Sequence, residues 1–170
     1  MTIDDVLAFL GLMDGLGIRV WLDGGWAVDA CLGTQTRPHD DLDIEIEERD
    51  LPAAVAALRE RGYASVPRDD TVPWNFVLGD GRGHEVDLHV IVLDAQGNGV
   101  YGPPERDDVF PAAALSGSGR LGDRRVACIS PEWLVRFHTG YEVDETDWAD
   151  VSALCDRYDL PIPADYDRFH

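Results

Sequence analysis

Two glycines and three carboxylates are the residues of this 170-residue chain whose types and spacing could do chemistry. Gly24 and Gly25 lead into a segment with helical character, and Asp41 and Asp43 follow sixteen residues after the pair. Asp87 comes later, between apolar residues typical of a strand. Glycines at a helix N-terminus let backbone N–H groups approach a phosphate. The pattern can therefore place a polyphosphate beside a divalent-metal site.

The acidic residues of the predicted strand over 42–46 and its flank form a row. Asp41 and Asp43 project from the same face, roughly 6.6 Å apart along the strand, and Glu45 continues the row. Asp87 joins it if it lies on a neighbouring strand. Two bare carboxylates about 5 Å apart repel by roughly 3 kcal/mol at an effective dielectric of about 20, so the cluster needs a cation. Hard oxygen donors favour Mg²⁺ or Mn²⁺ over zinc, and two such ions bridging a triphosphate and a hydroxyl would support nucleotidyl transfer.

Each motif alone has a plainer explanation. An isolated pair of aspartates two residues apart is typical of a solvated edge strand, and it also occurs in glycosyltransferases and aspartyl-phosphate phosphatases. Such a phosphatase needs its first aspartate at the end of an early apolar strand, whereas the early strand here ends in Gly24 and Gly25. A glycine pair alone is an ordinary turn. The three motifs in this order are far more specific than any one of them.

The net charge of the chain limits the classes of partner that it can bind. The formal net charge is −19, while the 45% hydrophobic and 28% charged fractions are ordinary for a globular protein. A nucleic-acid partner is disfavoured, because that affinity comes largely from Lys and Arg on phosphates. The charge is compatible with a cationic small-molecule substrate. It could equally serve solubility alone or reflect the proteome of the source organism.

Cysteines and targeting signals indicate a cytoplasmic protein. Cys31, Cys128 and Cys155 are an odd, widely spaced set, which argues against a disulfide framework and a structural zinc site and favours reduced core residues. The N-terminal residues lack the basic and apolar regions of a signal peptide. No apolar run reaches the roughly 18 residues of a membrane span, so we expect no membrane association.

The apolar periodicity predicts an α/β (α+β) fold with a mixed β-sheet flanked by helices. A first helix is capped at Thr2 and ended by Gly15 and Gly17. Further helices are predicted over residues 26–32, 50–61, 132–137 and 145–158, and strands over 18–22, 42–46, 74–78, 85–92 and 124–129. Residues 94–119 are predicted to be loop with little regular structure. We expect a catalytic domain over 1–130 and a helical extension packed on it over 131–170.

The motifs resemble a known superfamily, the nucleotidyltransferases of the polymerase-beta type. Residues 21–29 (WLDGGWAVD) and 37–43 (RPHDDLD) resemble small antibiotic nucleotidyltransferases, in which the aminoglycoside and lincosamide enzymes share this half. Residues 86–89 (VDLH), 126–132 (VACISPE) and 137–147 (FHTGYEVDETD) are most similar to the lincosamide enzymes. The likeness covers most of the chain and departs in the loop 101–120, which leaves the acceptor open.

The resemblance implies a role for each carboxylate. Asp41 and Asp43 would hold Mg²⁺, and Asp87 would complete the metal site, act as general base on the acceptor hydroxyl, or do both. An aspartate with its ordinary pKa of about 4 is a weak base at neutral pH. Metal polarisation of the hydroxyl or desolvation of Asp87 would therefore have to assist.

The resemblance also implies a nucleotide-binding set. Gly24 and Gly25 would contact the triphosphate, and Arg37 would balance phosphate charge, although a solvated loop arginine is the alternative. Asp29 and His39 could orient the loop or a metal-bound water, or they could be purely structural.

Acceptor recognition is the most open part of the prediction. His89 could line the pocket next to Asp87 or form a hydrogen bond within the sheet. The other polar or aromatic candidates are more often core or helix-terminal residues, and Glu145 and Asp147 complement a helix dipole. The candidate acceptor-binding residues are Trp74, His89, His138, Tyr141, Glu145 and Asp147.

Together these features predict an enzyme that moves a nucleoside monophosphate, AMP from ATP or the equivalent from another NTP, onto a hydroxyl of a lincosamide, releasing pyrophosphate. An aminoglycoside is the alternative acceptor. A catalytically silent member, such as the antitoxin of a toxin–antitoxin pair, is the alternative from another class. A nucleic-acid polymerase is disfavoured by the charge, and a homodimer could complete the acceptor cleft.

Overall fold

A mixed sheet carries the acidic residues of this protein. The computed structural model describes residues 1–169, and within them nine strands form one sheet. The strands are β1 (Val20–Leu22), β2 (Asp41–Glu47), β3 (Ala64–Val66), β4 (Asn75–Gly79), β5 (Glu85–Leu93), β6 (Gly99–Tyr101), β7 (Val109–Phe110), β8 (Gly117–Leu121) and β9 (Arg124–Cys128). The α-helices are α1 (Ile3–Gly15), α2 (Gly24–Leu32), α3 (Leu51–Arg59), α4 (Pro131–Phe137) and α5 (Glu145–Tyr158).

The strand order decides which acidic residues meet. Along the main path it is β3-β4-β5-β2-β1-β9-β8, with β6 paired to β5 and β7 to β6. β2 pairs antiparallel with β1 and parallel with β5. The parallel register sets Asp43 beside Asp87 and Glu45 beside His89. Side chains at paired positions share a face of the sheet, so two acidic residues from distant segments become neighbours.

Local side-chain caps explain where α1, α2 and α5 begin. Thr2 and Asp5 form a capping box at the start of α1, and Asp144 and Asp147 form one at the start of α5. Asp23 caps α2 by accepting a hydrogen bond from the Gly24 N–H at 2.8 Å. α5 spans the residues that the sequence predicts, because its cap and apolar stripe are both local signals.

The prediction for residues 94–119 was wrong. This stretch contains β6, β7, the start of β8 and 3₁₀ turns over Pro104–Arg106 and Ala114–Ser116. The strand β3 was also missed. β6 and β7 have only three and two residues, too few to show alternation. They form because β5 provides a paired edge for β6, which is a contact between distant segments.

One buried apolar core joins the sheet to its helices. Leu134 of α4 and Leu154 of α5 belong to the same core cluster as Leu22 and Ile44. The helices α4 and α5 thus share the core of the sheet, while the division into a domain over 1–130 and a helical extension over 131–170 stays a prediction. Cys31, Cys128 and Cys155 are free and buried, as predicted. Among the described residues, no helix combines the length and the apolarity needed to cross a bilayer.

Candidate active site

Two neighbouring strands bring carboxylates together at the centre of the sheet. Donor atoms of Asp43 on β2 and of Asp87 and His89 on β5 lie within 4.8 Å of one another. This confirms the predicted convergence of Asp43 and Asp87. Asp41 occupies the exposed start of β2 opposite Glu85, so it lies outside this group of donor atoms and acts on Asp43 through its charge.

A second acidic group lies beside the first and includes a residue that the sequence analysis missed. Donor atoms of Asp23, Glu45 and His89 also lie within 4.8 Å of one another. Glu45 is fully buried and its Oε1 lies 3.3 Å from His89 Nδ1. Asp23 reaches the group from the turn between β1 and α2. Its position directly before the glycine pair was the signal that could have identified it.

Burial changes the acidity of this cluster. Together with the charges of Asp41, Asp23 and Asp87, and against the opposing effect of His89, it raises the pKa of Asp43 to about 7. Burial and the neighbouring Glu45 raise the pKa of Asp23 to about 8. Burial alone dominates for Glu45, whose pKa rises to about 8. At neutral pH Asp23 and Glu45 are therefore largely protonated and Asp43 partly so, and a bound cation would displace these protons.

These raised pKa values predict how stability depends on pH. Between about pH 4 and pH 8 the folded protein binds more protons at Asp23, Asp43 and Glu45 than the unfolded chain does. The melting temperature of the protein in EDTA should therefore fall as the pH rises from about 5 to about 8. Carboxylates whose pKa is lowered by folding change the stability of the protein only below this pH range. They include Asp5, Asp94 and Asp144.

Thermal denaturation with a matched variant isolates the cluster. Glu45→Gln should flatten the pH dependence, and Mg²⁺ or Mn²⁺ should raise the melting temperature of the wild type more at pH 8 than at pH 6. A melting temperature that rises over this pH window, or an unchanged slope in the variant, would contradict the assignment.

The donor set suits a hard divalent cation. Carboxylate oxygens dominate both groups, and Mg²⁺ and Mn²⁺ prefer such ligands. Among the described residues, Oδ1 of Asp87 and Oε2 of Glu45 are buried without a hydrogen-bond partner. A buried carboxylate oxygen without a partner is costly. An ion held by Asp43 and Asp87 would satisfy one of these two atoms.

The glycine pair is pressed against this cluster. A Cβ atom on Gly24 would lie 2.2 Å from Asp43 Oδ2, and the residue has a φ of +53°. A Cβ atom on Gly25 would lie 2.4 Å from His39 Nδ1 and 2.7 Å from Arg37 Nη2. Only glycine fits this close approach. The structure therefore brings Gly24 against Asp43, and it brings Gly25 against His39 and Arg37.

Asp29 holds the loop that carries the predicted nucleotide-binding side chains. Its carboxylate is fully buried and accepts hydrogen bonds from the backbone N–H of Thr36 at 2.8 Å and from its hydroxyl at 2.6 Å. Its other oxygen lies 2.5 Å from His39 Nε2. These bonds hold the loop before β2 in place, which agrees with the loop-orienting and the structural roles that the sequence analysis left open for Asp29.

Arg37 joins the loop to the C-terminal helices. Its Nη2 lies 2.8 Å from Oδ2 of Asp150, a buried residue of α5. The side chain remains one-third exposed, and its Nη1 donates a long hydrogen bond of 3.4 Å to the Pro38 carbonyl, the weakest of its contacts. Asp150 was not predicted, because the two residues are 113 positions apart and no local pattern couples them.

The candidate acceptor residues are dispersed. Trp74 lines a separate pocket with Val90 and Val92, whose side chains alternate with that of His89 and lie on the other face of β5. Tyr141 donates a hydrogen bond to Asp147 at 2.9 Å in an exposed position. His138 is the C-cap of α4, and its side chain lies beside the Leu134 carbonyl oxygen. Glu145 is exposed at the start of α5. Of the six, His89 lies at the carboxylates.

A cavity of about 320 Å³ opens directly beside the acidic groups. The described residues that line it are Asp23, Tyr101, Asp108, Val109, Phe110 and Phe137. Most come from the stretch 94–119 that the sequence predicted to be loop. Aromatic residues next to glycine and proline in that stretch were the available signal.

Comparisons with known proteins agree with this geometry. The model of a family described as aminoglycoside-2''-adenylyltransferase matches residues 5–154. A lincosamide resistance protein from Staphylococcus haemolyticus is 29% identical over 154 residues, which are 91% of this chain and 94% of the relative.

Solved structures confirm the predicted fold. The lincomycin-bound crystal structure of lincosamide antibiotic adenylyltransferase LnuA matches with a TM-score of 0.80 and 31% identity, covering 91% of this chain and 96% of that chain. The solution structure of the antibiotic-resistance factor ANT(2'')-Ia matches with a TM-score of 0.71 and 18% identity, covering 91% and 83% of the two chains. That second likeness shows a shared fold.

Proposed function

Because the chain belongs to the aminoglycoside-2''-adenylyltransferase family, an enzyme family, we propose that it transfers AMP from Mg-ATP to a hydroxyl of a lincosamide antibiotic and releases pyrophosphate. The observation that carries this proposal is the meeting of Asp43 and Asp87 with the glycine pair. Carboxylates for a cation and backbone N–H groups for a phosphate lie on adjoining elements, as nucleotidyl transfer requires.

The proposed mechanism gives the carboxylates different roles. Asp43 and Asp87 would hold the divalent ion, with Asp41 adding negative charge at its approach. The bound ion supplies charge stabilisation for the phosphoryl oxygens and the attacking hydroxyl. Burial raises the pKa of Asp87, which makes this carboxylate a stronger base than an exposed aspartate. Asp87 would then accept the proton of the acceptor hydroxyl, as a general base.

The loop and the glycine turn would hold the nucleotide. Gly24 and Gly25 would contact the triphosphate at the start of α2, where the helix dipole favours an anion. The Gly25 N–H would be the donor, because the Gly24 N–H is bonded to Asp23 Oδ1. Arg37 adds a cation within reach of the same turn. Asp29 and His39 keep this loop in place by their buried hydrogen bond.

Replacing Arg37 separates its two roles. Arg37→Gln should raise the KM for ATP, and it should destabilise the fold by about 2 kcal/mol because buried Asp150 loses its partner. The double variant Arg37→Gln, Asp150→Asn should recover stability while the KM for ATP stays high. Denaturant unfolding and steady-state kinetics measure the two effects. A wild-type KM for ATP in both variants would remove Arg37 from the nucleotide site.

The acceptor is the finer part of the proposal. The 29% relative is a lincosamide resistance protein and the LnuA structure holds lincomycin, and both are matched over nearly their whole length. The family model is named for an aminoglycoside enzyme, so an aminoglycoside is the second candidate. A lincosamide has one basic amine and a sugar with hydroxyls, whereas an aminoglycoside carries several ammonium groups.

Product analysis tests the proposal directly. Purified protein is incubated with Mg-ATP and either lincomycin or tobramycin, and pyrophosphate release is followed. The mass of each drug after the reaction is then measured by mass spectrometry. We expect lincomycin to gain the mass of one AMP. A gain on tobramycin alone would keep the reaction and change the acceptor, and no gain on either would reject the proposal.

A further inference from the structure

The cavity beside the carboxylates is lined partly by aromatic residues that have no role in the proposed reaction. Tyr101 and Phe110 come from the β6–β7 hairpin and Phe137 from the end of α4. The cavity volume of about 320 Å³ is at the lower end of that of small-molecule sites.

The aromatic rings form a continuous line that starts at the catalytic strand. The ring centroids of His89 and Tyr101 are 5.9 Å apart, those of Tyr101 and Phe110 5.5 Å, and those of Phe110 and Phe137 5.4 Å, all edge to face. His89 is two residues from Asp87 on β5. An acceptor lying along these rings therefore has one end at the carboxylates.

The charged groups of the cavity are already engaged. Asp108 accepts a hydrogen bond from Arg106 Nε at 2.7 Å, and both side chains are about half exposed. Asp23 accepts a hydrogen bond from the Gly24 N–H and lies 3.9 Å from His89 Nδ1. Apart from Asp23 and Asp108 the described residues that line the cavity are apolar or aromatic. Away from the catalytic carboxylates, several ammonium groups would therefore lie against apolar walls, and the cavity disfavours a polycation despite the net charge of −19.

We propose that Tyr101, Phe110 and Phe137 determine acceptor specificity, by binding an acceptor that combines one ammonium group with an apolar surface and rejecting polycations. The ring faces attract a single cation and bury its apolar body. The ion pair of Arg106 and Asp108 contributes to the rejection by neutralising one carboxylate. This inference rests on the proposed function, since it concerns the acceptor of that same site.

Binding measurements test the rings without requiring turnover. Isothermal titration of lincomycin is carried out with Mg²⁺ and a non-hydrolysable ATP analogue, for wild type, Phe110→Leu and Phe137→Leu. Each substitution should weaken lincomycin binding about tenfold and leave the Kd of the ATP analogue unchanged. That unchanged Kd shows that the variants are folded. Tyr158→Leu is the matched control, because Tyr158 is a partly exposed ring on α5 outside the cavity lining and should leave lincomycin binding intact.

The ion pair provides an independent arm. Arg106→Gln frees the charge of Asp108 and should shift the binding preference from lincomycin towards tobramycin by about fivefold. The inference is overturned if the phenylalanine variants bind lincomycin like the wild type, if Tyr158→Leu weakens it equally, or if Arg106→Gln leaves the preference unchanged. If one of these results overturns the inference while the wild-type protein still adenylylates lincomycin, the proposed function stands. Wild-type protein that binds neither drug would overturn both.

Discussion

Asp43→Asn should reduce turnover on the order of 10³-fold, because an ion that stabilises developing charge contributes several kcal/mol to catalysis. The asparagine side chain would keep the volume and lose the negative charge at the point where β2 and β5 bring two carboxylates together. The fold should survive, since a buried carboxylate with a raised pKa is itself a source of instability in the metal-free protein.

The matched control is Glu60→Gln, which removes one negative charge from an exposed position after α3 and should leave turnover unchanged. Single-turnover kinetics measure the chemical step, and the melting temperature with and without Mn²⁺ measures the metal site. The Asp43→Asn protein should lose most of the stabilisation by Mn²⁺. Turnover near that of the wild type would remove Asp43 from the active site.

Gly24→Ala should have the second-largest effect, about 10²-fold on turnover, since small displacements of a catalytic group are this costly. The new methyl group would lie 2.2 Å from Asp43 Oδ2, so the carboxylate has to move. The left-handed φ of +53° adds strain of about 1–2 kcal/mol for any residue with a Cβ.

Gly17→Ala separates these two consequences. Gly17 has a φ of +70°, and a Cβ there would meet no atom within 4 Å. This variant should therefore show a similar loss of unfolding free energy by denaturant titration while its kcat and KM remain those of the wild type. Equal losses of turnover in the two variants would mean that Gly24 acts through stability alone.

Residues differ in whether their roles depend on local interactions or on contacts between distant segments of the chain. Thr2 and Asp144 cap helices whose bounds could be predicted, because a cap and its partner are three residues apart. Asp43 and Asp87 could be recognised as a pair by their type and by apolar neighbours. Their convergence needed only the assumption that the two strands are adjacent, and the register of β2 and β5 bears it out.

The acceptor residues show where that reasoning fails. Trp74 was predicted to bind the acceptor from its residue type, yet it lies on the face of β5 opposite His89, since strand pairing and not composition decides the face. Tyr101 and Phe110 were not predicted, because strands of two or three residues carry no periodic signal. These strands form through pairing, β6 with β5 and β7 with β6.

The sequence alone was enough to predict the proposed chemistry from the carboxylates, the glycine turn and their order along the chain. Each of these motifs is short enough for residue type and spacing to be informative. The tertiary structure decided which residues complete the site. Asp23 joins Glu45 and His89, Arg37 meets Asp150, and an aromatic cavity forms beside them. These contacts join residues tens of positions apart, and their energies depend on burial and on strand register, which no local pattern encodes.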